Sequence, residues 1–301
     1  MSFDRLQQKI DKMGNPTVVG LDTALEYVPP QILGKHIAEK GETLGAAAAA
    51  VLDFNMDLID ALCDIVPAIK PQSAYYEMLG PEGVGALQLT FEYAKLKGMY
   101  VICDGKRNDI GSTAEAYSAA YLGSVTVGKT QLRAFDPDAL TVNAYLGSDG
   151  IKPFIDAAVK YDKAIFALVK TSNPSAGEFQ DMLIGGKPLY AAVADMLEVI
   201  SRDTIGEFGY SRVGAVVGAT YPEEAEFLRS RLKHTFFLVP GYGAQGGTAA
   251  TAARAFDKDG RGAIVNSSRA IIAAWKKSGG NHMDAARAEA LRMRDELRGV
   301  M

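Results

Sequence analysis

Short apolar runs alternate along this chain with longer stretches patterned for helix. The runs fall at residues 17–22, 67–70, 100–104, 140–143, 164–170, 213–218, 236–240 and 262–266. Each is apolar at successive rather than alternate positions, which predicts strands covered on both faces, as in a parallel sheet. Helical patterns follow them, for example at 86–97 and 223–232. Eight strand–helix units predict an α/β fold, a (β/α)₈ TIM barrel; the competing expectation is an open doubly wound sheet. Two connections are long. Residues 31–66 hold an Ala-rich helical pattern near 46–62, and 173–212 contain a Gly-Gly-Lys-Pro turn at 185–188 ahead of another helix. They predict insertions after strands one and five. Neither reads as a linker, so residues 1–301 are expected to form one domain. A mixed-charge amphipathic helix with a solvated outer face is predicted at 283–298.

Composition narrows the class. With 48% hydrophobic and 23% charged residues the chain has the balance of a globular protein. No apolar run approaches the roughly 20 residues that span a bilayer, so no membrane association is expected. Residues 1–13 are amphipathic and charged, without the apolar centre of a signal peptide. Two cysteines, Cys63 and Cys103, cannot make a disulfide framework, so a cytoplasmic location is expected. Three scattered histidines argue against a His-rich metal site. A net charge of −4 leaves no basic footprint for nucleic acid, and an anionic ligand would need a local cluster of cations.

Two motifs match well-known spellings. Residues 123–130 (Gly-Ser-Val-Thr-Val-Gly-Lys-Thr) spell a P-loop, but the preceding segment reads as helix and the loop interior is stiff and β-branched. A surface connection is expected there. Residues 241–246 (Gly-Tyr-Gly-Ala-Gln-Gly) spell a dinucleotide fingerprint after a strand, yet only one further strand follows, too few for the βαβαβ half such a site needs. A cradle for a single phosphate, or a plain turn, fits better.

In a barrel the chemistry sits where strands run into the following loops. Strand one ends in Asp22, strand two in Lys70, and strand three in Asp104-Gly-Lys106-Arg-Asn-Asp109. Strand five ends in Lys170-Thr171-Ser172, and strand eight leads into Arg269. Charges beside buried apolar runs are costly unless paired, so the alternating set Asp22, Lys70, Asp104, Lys106 and Asp109 is a candidate site. Asp104 and Lys106 are two residues apart and share a face while the strand persists. Asp109 can turn back toward Lys106 or reach a neighbouring subunit. A lysine between two carboxylates stays charged and suits proton donation, not Schiff-base chemistry. Gly241–Gly247 offers close backbone approach and Arg269 a two-pronged fork, which together suit a phosphate at the ends of strands seven and eight.

On these residues the chain resembles the orotidine 5′-phosphate decarboxylase family, in its longer bacterial subfamily (type 2), from about Val18 to Arg269. The most specific element is Asp104-Gly-Lys106-Arg-Asn-Asp109 with Ile110 and Thr113. Val19-Gly-Leu-Asp22, Ile69-Lys70-Pro71 and Val239-Pro-Gly-Tyr-Gly-Ala-Gln245-Gly246-Gly247 reinforce it. The resemblance implies cofactor-free decarboxylation of orotidine 5′-phosphate (OMP) to UMP and CO₂, the last step of pyrimidine nucleotide synthesis. It implies that Lys106 protonates C6, that Asp104 lies beside the scissile group, and that Asp22 and Lys70 contact the ribose hydroxyls. It further implies that Ser172 reads the pyrimidine edge, that Gln245 bridges base and phosphate with Gly246 beside it, and that Arg269 binds phosphate. Asp109 and Thr113 would come from the second subunit of a homodimer with shared sites. Two features depart from the family pattern: Ser268-Arg269 replaces the usual Gly-Arg, and the segment after Ser172 is longer than in short members.

Two rival functions remain on the sequence. Mg²⁺-dependent sugar-phosphate decarboxylases share the Asp-x-Lys-x-x-Asp motif but carry an acidic ligand where this chain has Lys70, a poor neighbour for Mg²⁺. A non-catalytic nucleotide-binding barrel is the other; a full set of charges at the strand ends argues against it.

Overall fold

The computed structural model describes residues 1–243 and 246–301. Eight parallel strands close into a barrel: β1 Thr17–Leu21, β2 Ala68–Pro71, β3 Tyr100–Arg107, β4 Ala139–Val142, β5 Ala164–Lys170, β6 Val213–Val217, β7 Phe237–Val239 and β8 Ala263–Ser267. Each pairs with its sequence neighbours, and β8 closes on β1 through Thr17↔Val265 to Val19↔Ser267. The open-sheet alternative is thereby excluded. The strand periodicity places all eight within a residue or two, except that β3 runs three residues past its expected end.

Side chains alternate between the two faces of each strand. Val19, Val101, Ile165, Val217 and Val265 point outward and are buried under the surrounding helices. Val18, Ala68, Tyr100, Ile102, Phe166, Phe236 and Ile264 point inward and fill the lower barrel. The first helix, α1 Ser2–Met13, crosses this lower end. Its Phe3 ring lies 4.8 Å from Phe166 and 5.1 Å from Phe236, with Leu6 and Ile10 beside it.

Both expected insertions are present. After β1 come helices Pro30–Lys40 and Leu44–Leu62; the second starts where the Thr43 hydroxyl accepts from Ala46 N at 3.1 Å. After β5 come a short helix, Gly177–Gln180, and a two-stranded hairpin, Leu183–Ile184 with Lys187–Pro188. Its turn is Gly185-Gly186 at φ 59° and 82°, a conformation that favours glycine. The P-loop look-alike is also a hairpin: Val125–Val127 pairs with Thr130–Leu132 across Gly128-Lys129, and every strand residue is exposed. The last helix, His282–Arg298, keeps its outer face in solvent and buries Ala286, Ala290, Met293 and Leu297; it packs against Leu44–Leu62 and the short helices Ala249–Ala253 and Arg269–Ile272.

Candidate active site

Two residues above the apolar layer, the inward positions turn polar. Ala68 is succeeded by Lys70, Ile102 by Asp104, Ala139 by Thr141 and Ile264 by Asn266. They line a cavity of about 670 Å³ at the carboxyl ends of the strands. The opposite wall is apolar, made by Leu168, Val216, Leu238 and Pro240. Tyr27, Gln72, Tyr75 and Gln180 complete the rim.

Charge alternates across the polar wall. Asp22 Oδ1 lies 3.7 Å from Lys70 Nζ, Lys70 Nζ donates to Asp104 Oδ2 at 2.9 Å, and Lys106 Nζ donates to Asp104 Oδ1 at 2.7 Å. Asp104 and Lys70 are 8% and 4% exposed, so both ions have left bulk water and depend on each other. Burial alone would push the Asp104 carboxyl up. The attraction of Lys70 and Lys106 outweighs it and holds the group well below the usual carboxylate range. Burial would likewise lower Lys70, but Asp104 and Asp22 keep it above the ordinary lysine value. Asp104 is therefore a fixed anion between two cations.

Thr141 sets the geometry. Its hydroxyl donates to Asp104 Oδ1 at 2.8 Å and accepts from Lys106 N at 2.9 Å. Lys106 sits at φ 46°, a left-handed conformation that costs a non-glycine residue about 1–2 kcal/mol and is held here by those bonds. Its side chain is 46% exposed toward the cavity.

Of the residues singled out from the sequence, Asp22, Lys70, Asp104, Lys106, Ser172 and Arg269 share this cavity. Arg269 is exposed and has no ion-pair partner among the described residues. Asp109 does not turn back to Lys106: its Oδ1 accepts from Ile110 N at 2.8 Å, so Lys106 has one carboxylate partner in its own chain rather than two. Thr113 is exposed on the next helix, outside the cavity wall. Gly246 is exposed at φ 94° and donates to Gly243 O at 2.9 Å, whereas Gly241 lines the cavity. Gln245 lies outside the described residues.

Lys170 goes elsewhere. A register irregularity between β5 and β6 brings Lys170 opposite Val217. Its fully buried ammonium pairs with Asp181 and lies 4.5 Å from the Tyr221 ring, while Thr171 and Ser172 take the cavity wall. Thr141, Gln180 and Asn266 escaped sequence reasoning. Thr141 and Asn266 had a signal, as single polar residues at inward positions of apolar runs. Gln180 had none; it reaches the site from the insertion by accepting from Thr171 N at 2.9 Å and donating to Thr171 Oγ1 at 2.7 Å.

Among the described residues there is no group of three or more His, Cys, Asp or Glu arranged to hold a metal ion. Nor is any helix among them long and apolar enough to cross a membrane.

Residues 20–279 match the sequence profile of the Orotidine 5'-phosphate decarboxylase / HUMPS family. An orotidine 5′-phosphate decarboxylase of Rhodopirellula baltica is 43% identical over 302 residues, covering 98% of each chain. One from Caldicellulosiruptor bescii is 42% identical over 273 residues, 91% of this chain and 90% of that one. Among solved structures, the OMP decarboxylase of Leishmania donovani superposes with a TM-score of 0.75 at 28% identity, covering 99% of this chain and 98% of the other.

Proposed function

The chain belongs to the orotidine 5′-phosphate decarboxylase / HUMPS family, and from that premise we propose that it decarboxylates OMP to UMP and CO₂ without a cofactor, in the cytoplasm, as a single-domain enzyme of the longer bacterial subfamily. The observation that carries this reading is the paired chain Asp22–Lys70–Asp104–Lys106 facing a cavity of nucleotide size. The substrate carboxylate at C6 lies beside Asp104. The C6–CO₂ bond breaks, its electron pair stays on C6, and Lys106 Nζ delivers the proton that completes UMP. Solvent then reprotonates the amine. Asp104 and Thr141 aim Lys106, Asp22 and Lys70 hold the ribose, Ser172 meets the pyrimidine edge, and Arg269 anchors the phosphate with Gln245 and Gly246 close by. Binding the remote phosphate helps organise the site for the chemistry at C6.

Asp109 and Thr113 serve the second subunit of a homodimer. Their position outside their own chain's cavity supports that assignment.

The reading is tested by loss of ultraviolet absorbance from OMP with purified protein, measured before and after exhaustive chelation. No turnover sinks it; turnover that needs added Mg²⁺ favours the metal-dependent rival. The shared site is tested by mixing Lys106→Ala and Asp109→Ala chains under conditions of subunit exchange. Each mixed dimer has one site with both lesions and one with neither, so roughly a quarter of wild-type activity returns. Demonstrated exchange with no recovery would place Asp109 in its own subunit's site.

A further inference from the structure

Asn266 and Ser268 stand side by side on the inward face at the upper end of β8, both against the cavity. Asn266 is 8% exposed, and its Nδ2 donates to Ser268 Oγ at 3.3 Å. Its Oδ1 is buried, lacks a hydrogen-bond partner and faces Gly20. A Cβ on Gly20 would lie 2.9 Å from Asn266 Oδ1 and 1.8 Å from Ser268 Oγ, so the missing side chain at Gly20 makes room for both groups. An oxygen over the Gly20 Cα can take a weak C–H···O contact, whereas an NH₂ there would meet hydrogens.

This arrangement dictates what the Ser268 hydroxyl can do. A hydroxyl has one hydrogen and two lone pairs. Asn266 occupies a lone pair, and no acceptor among the described residues takes the hydrogen. The hydroxyl therefore presents a donor to the cavity, next in sequence to the exposed guanidinium of Arg269. A donor beside a cation suits an oxygen that only accepts, as those of a phosphate dianion do.

We propose that the Ser268 hydroxyl donates a hydrogen bond to the phosphate of the bound nucleotide, and that Asn266 is a positioning residue that holds this hydroxyl in its donor role. The proposal rests on the reading of the cavity as a nucleoside 5′-monophosphate site.

Calorimetric binding of UMP and of uridine tests it, with thermal melts to check folding. Ser268→Ala and Ser268→Gly should each raise the Kd for UMP roughly tenfold, the worth of a hydrogen bond to a charged group, and leave uridine within about twofold. Asn266→Ala should weaken UMP less than Ser268→Ala does. Asn266→Asp should weaken it more than Asn266→Ala, because a carboxylate captures the hydroxyl hydrogen and repels phosphate. Unchanged UMP affinity in both Ser268 variants overturns the proposal, as does an equal loss for uridine, which marks a packing role. A wild-type protein that turns over OMP and prefers UMP, with variants that keep that preference, would overturn this inference alone. A wild-type protein that neither prefers UMP to uridine nor turns over OMP would overturn the nucleotide site as well.

Discussion

In the lower half of the barrel, Tyr100, Ile102, Phe166, Phe236 and Ile264 pack beneath Phe3, Leu6 and Ile10 of α1; in the upper half the same strands present Lys70, Asp104, Thr141 and Asn266. The two layers are a single inward step apart on β3 and β8. Below, α1 closes the end and the aromatic rings fill the space, so burial of apolar surface supplies the stability. Above, the ions survive desolvation only because each buried charge has an opposite one within reach. The lower layer therefore governs whether the barrel stands, and the upper layer governs what it can do.

The sharpest way to separate the two is at Lys106. Its side chain is half exposed and buried Asp104 keeps Lys70, so Lys106→Ala should cost only about 1–3 kcal/mol, the worth of one hydrogen bond to a charged group. Turnover of OMP should nevertheless fall by roughly 10³-fold or more, the scale of a lost proton donor, with UMP still bound. Arg269→Ala should instead weaken UMP binding strongly and slow turnover as well. Steady-state kinetics beside urea melts distinguishes the outcomes. Near-normal turnover in Lys106→Ala would refute the proton-donor assignment.

At the opposite end, Phe166→Ala removes a fully buried ring that touches Phe3. It should destabilise the protein by about 3–5 kcal/mol through the cavity left behind. The turnover number per folded molecule should stay near wild type. A large loss of turnover without loss of stability would mean that the lower layer shapes the site, and the division between the two ends would not hold.

Much of this division was legible in the sequence. Successive apolar residues marked the strands, and charges at their ends marked the mouth, because where a strand is regular its position decides which side chains reach it. Contacts that depend on distant chain segments were not legible. Nothing near Phe3 signals that its partners are Phe166 and Phe236, so residues 1–13 read as an amphipathic stretch without a destination. Lys170 looked like another charge at the mouth; the irregular β5–β6 register and its own ion pair with Asp181 account for its different place. Arg229 was likewise unreadable: it is partly buried, its guanidinium lies 3.7 Å from the Phe237 ring, and it donates to Ala255 O, Leu232 O, Thr235 O and Gly262 O. Its acceptors are spread over a loop and the strand ends, a pattern no local spacing encodes.

Acid should set the two ends apart with a smaller effect. The Asp104 carboxyl is held below its ordinary range despite burial, because Lys70 and Lys106 attract it. A group lowered on folding stabilises the native state above its unfolded value, about 3.9 for aspartate, and that contribution fades as pH falls through the lowered native value. Asp104→Asn keeps the shape but removes the charge, leaving buried Lys70 with Asp22 as its remaining anion. At pH 7 the variant should be less stable than wild type by a few kcal/mol, about 3 on the scale of broken buried pairs. As pH drops below about 4, unfolded wild type takes up a proton that the native Asp104 carboxylate still refuses, which favours unfolding; the variant has no such group, so the gap between them should narrow. The gap between wild type and Phe166→Ala should stay constant over the same range, since no charge changes beside that ring. Taking differences from wild type cancels the titration of carboxylates common to all the proteins, including Asp136, which its neighbours hold at about 2. Urea denaturation at pH 7, 5, 4 and 3 (chosen to bracket the unfolded aspartate value of about 3.9) reads both gaps. A constant gap for Asp104→Asn would mean that the upper layer is not held by the charge on Asp104, and the electrostatic half of the comparison would fail.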